Sequence, residues 1–173
     1  MTQRQEKKNQ FQEKKKSGFL PFLVAGLVVL SAAGLMGWKA VGGVGRKHPA
    51  VSAENGMVRL AENQVNDGKA HFFTFKSGGT NVDFFVLKSR DGVIRTAFDT
   101  CDTCWTSGKG YKQAGDFMIC QNCRRRFRTT EIGLIYGGCN PAPLKSETRG
   151  NTLVILPKAL LEGRPYFDLP RGG

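Results

Sequence analysis

The sequence predicts an α+β fold that is mostly β: a small antiparallel β-rich domain with a two-knuckle cysteine insertion, preceded by one transmembrane helix. Three observations support this prediction. Short aromatic stretches alternate with glycine-containing turns, which is typical of antiparallel sheets. All five cysteines fall between residues 101 and 139, and residues 18–38 contain no charged side chain. The length of 173 residues is enough for one domain with an appendage.

The chain begins with a basic segment, residues 1–17, that we predict to be a disordered cytoplasmic tail. It contributes six lysines and arginines to a chain whose formal net charge is +12. Phe11 is its only aromatic side chain, so the segment cannot bury enough apolar surface to fold alone.

Residues 18–38 are long enough to cross a membrane as a helix. At about 1.5 Å per residue they span the roughly 30 Å hydrocarbon core of a bilayer. Pro21 lies in the first turn, where its missing N–H costs little, and Trp38 lies where an interfacial anchor belongs. A cleaved signal peptide is the alternative, but its apolar stretch is usually about 7–15 residues long. The length therefore favours an uncleaved anchor.

The positive charges on either side of this stretch predict its orientation. Six lysines and arginines precede it, whereas three follow it closely (Lys39, Arg46 and Lys47). This bias places the amino terminus in the cytoplasm and the remaining domain outside it, in a single-pass cell-membrane protein. Such a compartment permits disulfides, so a disulfide framework is an alternative to a metal site.

Residues 39–56 are predicted to be a linker, and residues 57–169 to be the folded domain. The linker has glycines, a proline and no periodic apolar pattern. Within the domain, strands are predicted over three stretches that carry the aromatic side chains: residues 70–76, 81–88 and 93–98.

Turn residues connect these strands into an antiparallel meander. Gly78-Gly79 separates the first two strands, and Asp91-Gly92 favours a hairpin between the last two. Further along, residues 117–119 form a short predicted strand that leads to Cys120. An apolar run over residues 152–156 precedes a helical turn that begins at Pro157 and ends at Gly163.

The cysteine segment, residues 98–144, carries two Cys-x-x-Cys pairs and one further cysteine. Cys101 and Cys104 are separated from Cys120 and Cys123 by fifteen residues. Two such pairs on tight turns can aim four thiolates at one point, which suits zinc or iron. Cys139 is one more thiol than a plain zinc ribbon needs. Structural zinc, iron or an iron–sulfur cluster, and disulfides are all compatible with the spacing.

Several function classes are excluded or disfavoured by the same residues. Covalent haem attachment needs Cys-x-x-Cys-His, but Trp105 and Arg124 follow the two pairs. The ferredoxin spacings are absent, and no amphipathic helix follows either pair, as a thioredoxin-like site would require. No Gly-x-Ser-x-Gly or His-Glu-x-x-His motif occurs, so a hydrolase is not expected.

The motifs of the cysteine segment resemble those of the FtrD-like membrane iron–sulfur protein family. The resemblance covers about residues 57–169. The residues that carry it are Phe98, Asp99, Cys101, Asp102, Cys104, Lys109, Gly110, Tyr111, Gly115, Asp116, Cys120, Asn122, Cys123, Phe127, Gly137, Gly138, Cys139, Asn140, Pro141, Pro143 and Leu144.

This resemblance implies an iron–sulfur electron carrier at a membrane, associated with bacterial iron uptake. Cys101, Cys104, Cys120 and Cys123 are then the first-choice ligands, and Cys139 either replaces one of them or lies beside them. Family members linked to iron permeases often have a large multi-span part ahead of this domain. Because this chain has one predicted span, we expect a tethered electron carrier rather than a transporter or an enzyme with its own substrate.

Four arginines directly after Cys123 could offset thiolate charge and attract an acidic redox partner, for example within an iron-uptake system. They are Arg124, Arg125, Arg126 and Arg128. A solvated basic edge strand is the simpler interpretation of this run. Nucleic acid binding is not expected for an extracytoplasmic domain. A structural zinc domain that acts as an assembly or binding module is the alternative function.

Other candidate side chains have more ordinary interpretations. Three aspartates flank the cysteine pairs, where turn and capping roles are common: Asp99, Asp102 and Asp116. Trp105 and Tyr111 are expected to pack over the metal-binding loop. His71 lacks neighbours at ligand spacing, so it is expected to be a core or edge residue rather than a ligand.

Overall fold

A computed structural model describes residues 48–168 of the chain. The predicted tail (1–17), the predicted transmembrane segment (18–38) and the first half of the predicted linker (39–47) lie outside these residues. Within the described part, no helix combines the length and the apolar character needed to span a membrane.

The described residues are mostly β, as predicted, and form three small sheets. In chain order, the strands of residues 48–168 are β1 (Ala50–Val51), β2 (Val58–Ala61), β3 (His71–Ser77), β4 (Thr80–Lys88), β5 (Ile94–Phe98), β6 (Tyr111–Ala114), β7 (Phe117–Cys120), β8 (Arg126–Arg128), β9 (Glu147–Arg149) and β10 (Thr152–Ile155).

The first sheet has the order β1-β3-β4-β5 and contains the predicted meander. The three predicted strands are confirmed as β3, β4 and β5, with bounds that differ by one residue. The predicted hairpin is also confirmed: the Ser89 N–H donates to the Val93 carbonyl over 3.0 Å, and Gly92 has a φ of +82° that favours glycine. β1 lies within residues 39–56 and pairs in parallel with β3.

The second sheet has the order β2-β10-β9 and joins the two ends of the domain. β2 precedes the cysteine segment and β10 follows it, so the cysteine segment is an insertion within one β-rich unit, as expected. Helix α1 (Pro157–Glu162) follows β10, begins at a proline and ends before Gly163, as the sequence predicts. The third sheet, β6-β7-β8, lies inside the insertion.

Strand β4 separates two hydrophobic cores. Val82, Phe84 and Val86 belong to a core shared with β2, β10 and α1. The alternate residues Phe85 and Leu87 face a second core that contains four of the cysteines. Since successive side chains on a strand point to opposite faces, β4 is buried on both sides. Each of these large apolar side chains contributes about 1.5–3 kcal/mol through its burial. The cysteine segment therefore packs directly on the rigid central sheet.

Candidate metal centre

Four of the five predicted site cysteines are buried and one is exposed. Cys101, Cys104, Cys120 and Cys139 have relative exposures between 1% and 9% and belong to the second core. Cys123 is exposed, and all five are free thiols. The structure thus places most of the sulfur atoms in an apolar environment, with one sulfur at its edge.

The first pair of cysteines is presented by the end of β5. The Asp99 N–H donates to the Asp83 carbonyl of β4 over 2.9 Å, which extends the sheet toward Cys101. The backbone then turns so that the Cys104 N–H donates to the Cys101 Sγ over 3.2 Å. This bond gives the thiolate form of Cys101 a donor, as metal-binding knuckles require.

The second pair follows β7 and forms a comparable turn. The Arg124 N–H donates to the Cys120 carbonyl over 2.9 Å, and the Cys120 N–H donates to the Arg125 carbonyl over 3.0 Å. The N–H groups of Asn122 and Cys123 point at the Cys120 sulfur. Arg124 closes the turn with a φ of +64°, an uncommon conformation for a residue other than glycine.

Cys139 reaches the first pair because its loop is attached to neighbouring backbone on both sides. Before it, the Thr103 N–H donates to the Gly138 carbonyl over 3.2 Å. After it, the Ala142 N–H donates to the Thr100 carbonyl over 2.9 Å. Gly137 and Gly138 have φ values of +85° and +61°, so the two glycines form the turn that brings Cys139 inward.

Tyr111 fixes the carbonyl of this same cysteine. Its hydroxyl donates to the Cys139 carbonyl over 2.5 Å, and only 2% of the residue is exposed. The ring packs against Phe85 and Phe127 with centroid distances of 6.2 Å each. Burial is the main cause of a strongly raised pKa of Tyr111, so the hydroxyl stays protonated and acts as a donor. The expected packing role of Tyr111 is thus accompanied by a direct hydrogen bond to the cysteine loop.

The sulfur atoms form two overlapping groups of three. In the first, the Sγ atoms of Cys101, Cys104 and Cys120 all lie within 4.8 Å of one another. In the second, the same distance limit holds for the Sγ atoms of Cys104, Cys123 and Cys139. Cys104 belongs to both groups, and its sulfur lies 3.8 Å from that of Cys139. All five predicted cysteines are therefore brought together, with Cys104 at the junction.

The local environment gives the thiols different pKa values. Hydrogen bonding from the Asn122 side chain, aided by the neighbouring thiols, lowers the pKa of Cys104 to about 7. Burial raises the pKa of Cys120 to about 11 and that of Cys139 to about 12. Cys104 is therefore the first of these three thiols to become a thiolate, the form that binds metals.

The structure places Asn122 in the site, although the sequence pattern predicted no specific role for this residue. Its amide hydrogen-bonds the Cys104 sulfur, while its Oδ1 accepts a bond from Lys109 Nζ over 3.3 Å. Thr103 similarly hydrogen-bonds the Cys139 thiol through its side chain. Both residues occupy the variable positions within a Cys-x-x-Cys pair, and that adjacency was the only signal for their roles.

The other predicted candidates have structural partners outside the two sulfur groups. The Tyr111 N–H donates to Asp99 Oδ1 over 2.6 Å, and the Tyr166 hydroxyl donates to Asp102. His71 Nε2 lies 2.7 Å from Asp67 Oδ1, in agreement with its predicted role on the sheet. The Asp116 carboxylate lies 3.2 Å from the Arg90 guanidinium, with which it forms an ion pair. The Trp105 ring contacts the Tyr166 ring edge-on.

The donor set matches the chemistry of iron–sulfur or zinc binding. Soft thiolates select these metals, and buried cysteines with N–H donors aimed at sulfur are typical of such sites. The sulfurs of Cys104 and Cys139 lie 3.8 Å apart. Two thiolates bound to one tetrahedral metal ion through bonds of about 2.3 Å are also separated by about 3.8 Å. The residues of the segment therefore fit a thiolate-bound metal centre.

In a comparison with known families, residues 65–167 match a family model. The matching family model is described as "Membrane iron-sulfur containing protein FtrD-like". No curated protein and no solved structure matches the chain.

Proposed function

The chain belongs to the FtrD-like family of membrane iron–sulfur proteins, and on this basis we propose that it is a membrane-anchored iron–sulfur protein that transfers electrons. The observation that carries the proposal is the burial of four cysteines in an apolar core with backbone and side-chain donors aimed at their sulfurs. When bound, an iron–sulfur cluster supplies reversible electron uptake and release. The proposed ligands are drawn from Cys101, Cys104, Cys120, Cys123 and Cys139.

The protein's own residues have three roles in this function. The second core excludes water from the four buried sulfurs through Phe85, Tyr111 and Met118, all at most 2% exposed. The N–H groups and the Asn122 amide stabilise negative charge on the sulfurs, which favours the reduced state. Cys123, the exposed thiol, provides the edge at which electrons can pass to or from a partner. This division of roles suits an electron carrier.

We expect the partner to be acidic and to dock beside Cys123. Arg124 and Arg125 are exposed and directly follow this cysteine, while Arg126 lies 4.3 Å above the centre of the Phe117 ring. These positive charges would steer an acidic redox protein, such as one in an iron-uptake system. If so, replacing Arg124 and Arg125 with glutamine should slow association measured by stopped flow and weaken its salt dependence. Unchanged association would support the simpler interpretation of a solvated edge strand.

The proposed location is the outer side of a cell membrane, with residues 18–38 as the anchor and residues 1–17 in the cytoplasm. The family description and the charge bias of the sequence support it. A reporter that is active only outside the cytoplasm, fused after Gly173, should be active. Activity of a reporter that works only in the cytoplasm would contradict this topology.

Colour distinguishes the proposed function from structural zinc, which the paired Cys-x-x-Cys turns would also fit. The full-length protein, purified anaerobically in detergent, should contain iron and acid-labile sulfide and absorb broadly in the visible region. Dithionite should bleach this absorption, because reduction weakens the sulfur-to-iron charge-transfer bands. A colourless protein that contains zinc and no iron would contradict the electron-transfer function and favour an assembly or binding module.

Replacing Asn122 with alanine is expected to lower the reduction potential of the centre. The substitution removes an amide donor to the Cys104 sulfur. A net hydrogen-bond contribution of about 1 kcal/mol corresponds to roughly 40 mV for a one-electron couple. Redox titration of the visible absorption should show a decrease of that size. Asn81, an exposed amide on β4, is the control, and its replacement with alanine should leave the potential unchanged.

A further inference from the structure

We propose that the five cysteines bind two metal ions, with Cys104 as a thiolate shared between them. This inference rests on the proposed metal-binding function and adds the number of metals and the role of each cysteine. A single ion bound by two Cys-x-x-Cys pairs, with Cys139 left over, is the alternative arrangement.

The grouping of the sulfurs is the first argument. Among residues 48–168, the close sets of ligand atoms contain three sulfurs each, and the two sets have only Cys104 in common. A tetrahedral ion with bonds of about 2.3 Å holds its thiolates about 3.8 Å apart, so three sulfurs within 4.8 Å provide three of its four corners. Two sets that share one member include all five cysteines and leave no spare.

The pairing of the cysteines across the chain is the second argument. Cys123 follows Cys120 in one turn, but their sulfurs belong to different sets: Cys120 with Cys101, and Cys123 with Cys139. A single-ion site made from two Cys-x-x-Cys turns would instead use both sulfurs of each turn for the same ion. Here each turn contributes to both sets, and Cys139 completes the second one. The fifth cysteine thus has a ligand role of its own.

The fixed position of Cys104 is the third argument. Its carbonyl accepts bonds from both the backbone N–H and the hydroxyl of Ser107, over 3.0 and 2.7 Å. A bridging thiolate must serve two ions without moving, and these bonds hold the backbone beside it. Each ion retains one position for a ligand that the chain does not supply, for which inorganic sulfide is the natural class if the metal is iron.

Cobalt titration of the full-length apoprotein, reduced and in detergent, tests this arrangement. The thiolate-to-cobalt charge-transfer absorption should rise until two Co²⁺ are bound per chain. The electron paramagnetic resonance signal per cobalt should fall as the second ion binds, because the shared thiolate couples the two spins. Saturation at one Co²⁺ per chain would overturn the proposal.

Alanine variants then separate the roles of the cysteines. Cys123→Ala is the least disruptive, since this thiol is exposed, and should leave one Co²⁺ bound by the intact first set. Cys101→Ala should also leave one, whereas Cys104→Ala should reduce binding below one. Equal cobalt binding by Cys104→Ala and Cys101→Ala would contradict a shared thiolate. Circular dichroism confirms that each variant is folded before its cobalt stoichiometry is measured.

The two-metal proposal and the electron-transfer proposal can fail independently of each other. Native protein with two zinc ions per chain and no iron would contradict electron transfer while supporting the two-metal arrangement. Native protein with a redox-active centre but with one metal, or with four irons, would retain electron transfer and overturn the two-metal arrangement.

Discussion

Replacing Phe85 with alanine is expected to lower the free energy of unfolding by about 3–5 kcal/mol and to accelerate loss of the bound metal. The side chain is fully buried in the core that contains the cysteines. Its ring packs against Phe72 at 5.6 Å and Tyr111 at 6.2 Å between centroids. Removing it leaves a cavity beside Tyr111, whose hydroxyl holds the Cys139 carbonyl. Denaturant unfolding and the rate of metal transfer to a chelator measure the two effects.

The neighbouring residue on β4 provides a matched control. Phe84 is equally buried, but it faces the other core and packs against Phe73 with a centroid distance of 5.6 Å. Phe84→Ala should lower the free energy of unfolding by a similar amount. In the absence of denaturant it should leave the rate of metal loss much closer to that of the wild type. If both variants released metal equally fast, the metal centre would not depend on its own face of the sheet.

The regular part of the fold could be predicted because its signals are local. Short stretches of aromatic and β-branched residues and an Asp-Gly turn specify β3, β4 and β5 within about thirty residues of chain. The helix after β10 is likewise delimited by Pro157 and Gly163. These patterns do not show which part of the chain packs against each face of β4. Both Phe84 and Phe85 are aromatic, and only the tertiary packing determines that Phe85 contacts the cysteine segment.

The candidate site was predictable in its ligand types but not in its arrangement. The spacing of the cysteines suggests two equivalent turns around one ion. The positions of the sulfurs depend on where the chain returns after Gly137-Gly138, a long-range contact that involves Thr103 and Tyr111. No local pattern encodes that return. The role of Cys104 as the junction of two sulfur groups therefore emerges only from the structure.

Gly110 precedes Tyr111 and lies against the Asp99 carboxylate, so replacing this glycine is expected to destabilise the protein strongly. The Asp99 side chain is buried and accepts the Tyr111 N–H over 2.6 Å. A Cβ at Gly110 would overlap the Asp99 carboxylate. The substituted residue would also have to adopt a φ of +59°, in the left-handed region that favours glycine. Alanine at this position must therefore displace the carboxylate or distort the start of β6.

Gly110→Ala is expected to lower the free energy of unfolding by about 2–5 kcal/mol, from backbone strain and a buried N–H left without its acceptor. Gly108 is a close control, because its φ is +60° and no atom lies within 4 Å of the position that a Cβ would take there. Gly108→Ala should therefore show only the strain, about 1–2 kcal/mol. Urea unfolding measures both, and metal content should fall only for Gly110→Ala, since Tyr111 then no longer positions Cys139. Equal losses of stability in the two variants would mean that the Asp99 carboxylate does not link the central sheet to the metal centre.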